Sequence, residues 1–280
     1  MRFAKYIKNI CRYFFHGGYK NGGITYINFV SCENKNILSG KTILITGGSS
    51  GIGYAIAEKC IKLGAKVIIT GRNKEKLQKA VDALGEECHY IVNDISKIES
   101  LSELLEEAVK YTGRLYALVN NAGIPTTTYD VNLVDELLYN RVMNTNLKGV
   151  YFMTNLFYKY LCDNNIHGSI IMIASNGGIK RQANPYGVSK AAVIHYGLGL
   201  AKESIKKQIR CNIVAPGYTI SSIAPEFKLN KAGNLYKQDV ADSRWHLAEE
   251  IAEVVTFLLS DSSLCLNGQV LECDGGDSIL

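Results

Sequence analysis

No stretch of this 280-residue chain carries eighteen or more consecutive apolar residues, so none of it reads as a membrane-spanning helix. The cysteines contain no C-x-x-C pair. Cys11, Cys32, Cys60, Cys88, Cys162, Cys211, Cys265 and Cys273 stand apart, without metal-ligand spacing to His16, His89, His167, His195 or His246. They read as reduced, mostly buried thiols of a cytoplasmic protein, and no metal site is expected. Excess charge is also scarce. A formal net charge of +5, with 20% charged residues, implies no nucleic-acid partner without a localised basic cluster or a binding motif, and neither is present.

The chain is 47% hydrophobic and long enough for one large α/β domain with a full core. Its first residues, "MRFAKYIKNICRYFF", lack the continuous apolar core and small-residue cleavage site of a signal peptide. Phe3, Ile7, Ile10 and Phe14 instead recur at helical steps, with Arg2, Lys5, Lys8 and Arg12 mostly off that stripe. Such a basic amphipathic helix either docks on the domain or a partner subunit, or lies as a peripheral contact on an anionic membrane. "FHGGYKNGG" (15–23) breaks it, and "ITYINFV" (24–30) patterns as a short extra strand. The expected division is an N-terminal extension over 1–40 and one domain over 41–280.

From residue 41 onward, β-branched runs alternate with amphipathic helical segments. The strand candidates are "TILIT" (42–46), "KVIIT" (66–70), "CHYIV" (88–92), "LYALVN" (115–120), "SIIMIA" (169–174), "IRCNIV" (209–214) and "QVLEC" (269–273). Alternation of this kind predicts a Rossmann-like, doubly wound parallel sheet of about seven strands with helices on both faces. Ligands of such sheets bind at the carboxyl ends of the strands, which directs attention to the loops there.

The first of those loops is "TGGSSGIG" (46–53), which opens a helix. Its glycines permit a tight turn and close backbone approach, and free N–H groups at the helix start attract a phosphate. Gly-rich turns of this sort also serve packing alone. In "NPYGVSKAA" (184–192), Tyr186 and Lys190 project from one helix face, about 6 Å apart at Cβ. An ammonium so placed favours phenolate over phenol and makes the tyrosine a candidate proton donor and acceptor, although a solvated surface pair has the same spacing.

Six motifs in order resemble the short-chain dehydrogenase/reductase family: "TGGSSGIG", "NNAG" (120–123), "NTNLKG" (144–149), "NPYGVSK", "NIVAPG" (212–217) and "NGQVLECDGG" (267–276). The resemblance implies an NAD(P)-dependent oxidoreductase acting on a small-molecule carbonyl or alcohol. By it, Tyr186 is the general acid/base and Lys190 lowers its pKa and holds the nicotinamide ribose. Ser175 polarises the carbonyl, although it lies eleven residues before Tyr186 where many members have twelve or thirteen. Asn146, rather than Asn144, holds a helix kink and a water of the proton relay.

The same resemblance assigns Thr46, Gly47, Ser49, Ser50, Gly51, Ile52 and Gly53 to the cofactor phosphates. Asp94 and Ile95 fall at the adenine, Asn120, Ala122 and Gly123 along the central strand, and Pro216, Gly217 and Thr219 along the nicotinamide. At the end of the second strand stands "TGRNK", with Arg72 and Lys74 and no acid among its residues, so NADP(H) is favoured over NAD(H) on charge. Substrate recognition falls to 218–245, where Trp245 is expected to pack near the site mouth. "LCDNNIHG" (161–168) lacks the basic cluster expected where an acidic carrier protein docks. A homodimer or homotetramer is implied, and "VYFMTNLFYKYL" (150–161) is either a self-complementary helix face or core. The alternative function is a non-catalytic NADP(H)-binding sensor. The longer epimerase or dehydratase branch of the superfamily fits neither the glycine spacing nor the length.

Overall fold

The computed structural model describes residues 36–221 and 234–279; the expected basic helix and the strand at 24–30 lie outside these residues. Seven strands form one sheet: β1 (Thr42–Thr46), β2 (Lys66–Gly71), β3 (Cys88–Val92), β4 (Ala117–Asn120), β5 (Ser169–Ile173), β6 (Arg210–Pro216) and β7 (Val270–Cys273). Their order is β3-β2-β1-β4-β5-β6-β7, with every neighbouring pair parallel. The expected doubly wound parallel sheet is what the structure shows.

The helices that follow the strands are α1 (Gly51–Lys62), α2 (Lys74–Leu84), α3 (Leu101–Thr112), α4 (Glu136–Met143), α5 (Val150–Asp163), the single turn α6 (Asn176–Ile179), α7 (Pro185–Ser204) and α8 (Ala248–Leu259). A six-residue π-helical stretch, Asn144–Gly149, joins α4 to α5. Strand residues alternate between two cores. Ile43, Ile45, Val67 and Ile69 face Ile56, Cys60, Leu77, Ile251 and Val255 of α1, α2 and α8. Leu44, Ile68, Leu118 and Ile170 face Leu104, Met153, Phe157, Val193 and Leu200 of α3, α5 and α7. Burial on both sides is why these strands read as unbroken apolar runs.

The helix at 150–161 divides between the two readings: Met153, Phe157 and Leu161 are buried in the second core, while Tyr151 and Phe152 stay exposed. Lys59 of α1 and Glu253 of α8 form an ion pair of 2.6 Å between the two helices. Because the chain runs outward from β1 to β3 and then returns to β4 on the other side, the carboxyl ends of β1 and β4 open a crevice. Among the described residues no helix is long and apolar enough to cross a membrane.

Candidate active site

A cavity of about 650 Å³ lies along that crevice. Its floor is the turn between β1 and α1. Gly47 has φ +69°, and a Cβ there would come within 2.9 Å of the Ala122 Cα, so only glycine lets the two loops touch. Asn121 fastens them, its Nδ2 donating to the carbonyls of Thr46 at 3.0 Å and Gly47 at 2.9 Å. Thr46 Oγ1 in turn accepts from the N–H groups of Asn121 and Ala122. α1 begins with an extended Ser50, has no side-chain cap and carries no acidic residue in its first turn. The positive end of its dipole is therefore open to an anion in the cavity. The cradle fits a dinucleotide pyrophosphate.

At the end of β2, Arg72, Asn73 and Lys76 line the same cavity. Asn73 caps α2 by accepting from the Lys76 N–H at 2.8 Å. Glu75, in the first turn of α2, does not line the cavity. Asp94 bends the loop after β3 through bonds from the Ser96 N–H and hydroxyl.

The third corner is built from β5 and α7. Ser175, two residues past β5, is extended and caps α6, its Oγ accepting from the Gly177 N–H at 3.1 Å. Asn184 caps α7, with Pro185 at the first helical position, and so fixes where Tyr186 enters. Ser175 and Tyr186 line the cavity together. Lys190, one turn on, is buried and donates from Nζ to the Ile173 carbonyl at 2.8 Å, with Nζ 5.8 Å from the Tyr186 ring centre.

Burial dominates the electrostatics of the pair. Burial raises the Tyr186 pKa above its ordinary value, Ser175 offsets part of that rise, and Tyr129 adds to it. Burial brings Lys190 itself down to about 8, and its ammonium donates to a backbone carbonyl. Beneath the pair, Asn146 sits fully buried in the π-helical stretch. Its Oδ1 accepts from the Ile124 N–H at 2.8 Å, and its Nδ2 donates to the Ile124 carbonyl at 2.9 Å and to Ser189 Oγ at 3.3 Å.

Against this geometry, a profile described as short chain dehydrogenase matches residues 41–232. The chain belongs to the short-chain dehydrogenase family. It is an oxidoreductase family member with relatives of several named activities. The 3-oxoacyl-[acyl-carrier-protein] reductase FabG of Thermotoga maritima is 37% identical over 247 residues, covering 85% of this chain and 98% of its own. A glucose 1-dehydrogenase of Gluconobacter oxydans is 34% identical, covering 86% and 93%. Among solved structures, a 3-ketoacyl-(acyl-carrier-protein) reductase from Brucella melitensis complexed with NADH superposes with a TM-score of 0.79 at 28% identity, over 86% of this chain and 99% of that one.

In this short-chain dehydrogenase, Gly47, Ser49, Ser50, Gly51, Ile52, Arg72, Asp94, Ile95, Ala122, Gly123, Ser175, Tyr186, Lys190, Pro216, Gly217 and Thr219 all line the one cavity. Thr46, Gly53, Asn120 and Asn146 do not; Thr46 and Asn146 hold the lining from behind, through Asn121, Ala122 and Ile124. Asn120 points into the sheet's far face, its Nδ2 bonding Thr154 Oγ1 at 2.8 Å, and the adjacent Asn121 faces the glycine loop instead. The pleat decides between two identical neighbours, and "NNAG" alone carries no sign of the strand's phase. Lys76, Lys180 and Asp277 also line the cavity without any motif to mark them, whereas Lys74 is absent from its wall.

Proposed function

We propose that this short-chain dehydrogenase interconverts a ketone or aldehyde and its alcohol with NADP(H), using Tyr186 as the acid in reduction and the base in oxidation. The observation that carries the reading is the meeting of Ser175, Tyr186 and Lys190 in the cavity whose floor is the glycine cradle. A nicotinamide dinucleotide bound along that cradle supplies or takes the hydride. Ser175, which lines the cavity with Tyr186, shares a carbonyl oxygen with the Tyr186 hydroxyl and orients the proton. Lys190 meets a ribose hydroxyl, and Asn146 fixes the backbone of Ile124 beneath them. Pro216, Gly217 and Thr219 border the nicotinamide end, Asp94 and Ile95 the adenine end. Arg72 with Lys76 favours a 2′-phosphate by charge, and no carboxylate lines the cavity there to accept a bare 2′-hydroxyl.

Burial keeps the Tyr186 phenol protonated at neutral pH, which suits donation to a carbonyl. Oxidation needs the phenolate, so its rate rises with pH while reduction at neutral pH does not depend on it. The named activities of the relatives span an acyl thioester and glucose, so membership alone does not choose the substrate. The exposed Tyr151, Phe152, Val188 and Leu198 on α5 and α7 supply the face for a homodimer or homotetramer, which light scattering on the purified chain reads.

The deciding experiment is NADPH and NADH oxidation over a panel of ketones, quinones and thioesters. Tyr186→Phe is expected to lower kcat about 10²- to 10⁴-fold with NADPH binding retained. Arg72→Ala should weaken NADPH roughly tenfold or more and leave NADH little changed. Tight NADPH binding with no turnover of any compound would instead support a sensor.

A further inference from the structure

Beyond the reductase reading, on which it rests, the cavity carries an ion pair that its catalytic corner does not use. Lys180 follows α6 directly, five residues after Ser175, and its Nζ lies 2.9 Å from Oδ2 of Asp277, which belongs to the stretch after β7. Asn176 Nδ2 donates to the same oxygen at 3.0 Å. Asp277 is 4% exposed, whereas the Lys180 side chain is 38% exposed, and all three line the cavity that holds Tyr186. Both bonds to the carboxylate fall on Oδ2, so Oδ1 takes no donor from the described residues. An ammonium has three donors and this one spends one. The wall thus presents a carboxylate oxygen short of donors beside an ammonium short of acceptors.

Three kinds of substrate meet this wall differently. An alkyl chain laid over it strips water from two charges and returns no hydrogen bond. A second anion is drawn by Lys180 but repelled by Asp277 at almost the same distance. A hydroxyl group satisfies both, donating to Oδ1 while accepting from Nζ, and a vicinal diol does so at both ends. Tyr218 and Trp245, packed edge to face at 5.6 Å, line the same cavity, and the Lys237 ammonium lies 4.3 Å from the Tyr218 ring centre and 5.4 Å from that of Trp245, which adds a further donor for substrate hydroxyls.

We propose that Lys180 and Asp277 read substrate hydroxyls, and that the carbonyl substrate is a compact polyhydroxylated ketone of the sugar or cyclitol kind. An acyl thioester with an apolar tail is the substrate this wall disfavours, despite the named activity of the Thermotoga relative.

The test uses the full-length protein with saturating NADPH and a matched pair of rings, an inosose (a pentahydroxycyclohexanone) and cyclohexanone, beside acetoacetyl N-acetylcysteamine. Wild type is expected to show a kcat/KM about tenfold or more higher for the inosose than for either other compound. Lys180→Met or Asp277→Asn should bring the inosose-to-cyclohexanone ratio within about threefold of unity, with NADPH fluorescence reporting that each variant is folded. A ratio unmoved by both variants, or a thioester preferred to the inosose, overturns the proposal. If no ketone is reduced, the reductase reading fails separately, and calorimetric titration of inosose into the NADP⁺-bound wild type and Lys180→Met decides for the pocket. Binding about tenfold weaker in the variant supports it; equal or absent binding overturns it.

Discussion

Lys190 bears a larger desolvation cost than its surroundings repay with a single carbonyl bond, and this makes the residue visible in stability as well as in turnover. Its folded pKa, near 8, lies below the ordinary lysine value of 10.5, so between those values the unfolded chain binds more protons than the folded one. Stability from this group therefore rises with pH across the window, and the cost is complete below about pH 8. Lys190→Met is expected to abolish turnover and yet unfold at higher urea than wild type at pH 7, by up to roughly 3 kcal/mol, with the gap closing toward pH 10. Urea titrations at the two pH values check it, and a gap that does not change with pH would contradict it. The Tyr186 phenol, whose raised pKa lowers stability only as the unfolded chain ionises near pH 10, is common to both proteins and cancels in the comparison.

At the scale of elements, the π-helical stretch shows what one side chain does for a loop. Asn146 closes three hydrogen bonds that tie α4 and α5 to the strand-end loop at Ile124 and to α7 at Ser189, whereas Asn144 is half-buried and its side chain makes no hydrogen bond among the described residues. Asn146→Ala is expected to cost roughly 2–3 kcal/mol in urea unfolding and Asn144→Ala under about 0.5. Equal losses would mean that the stretch is held by packing. The strands themselves were legible from sequence to within two residues at either end, because a sheet buried on both faces demands apolar β-branched runs and little else does. The glycine cradle and the Tyr186/Lys190 turn were legible for a similar reason, since each is written within eight consecutive residues. Legibility stopped where tertiary placement decides. The sequence sets Lys74 two residues from Arg72, but Lys76 is the lysine that lines the cavity with Arg72, and nothing near Lys180 announces a partner ninety-seven positions away. At Tyr186, likewise, spacing shows a neighbouring charge, and only the packed fold shows the desolvation that raises the phenol's pKa.

On the scale of the whole molecule, α1 is covered by α8. Ile251, Ala252, Val255, Leu258 and Leu259 complete the core that holds Ile56 and Cys60, and the Lys59–Glu253 pair closes the seam. A chain ending at residue 245 keeps Tyr186, Lys190, Ser175 and the whole glycine loop but leaves that core open to water. It is expected to aggregate or to bind no NADPH in a fluorescence titration, and tight binding by the fragment would show that α1 is held without α8. During synthesis the glycine turn leaves the ribosome some two hundred residues ahead of Glu253. Every group assigned to the cofactor and to proton transfer precedes α8 in the chain, and none can be put to use until α8 has been made, so activity waits on residues that touch neither cofactor nor substrate.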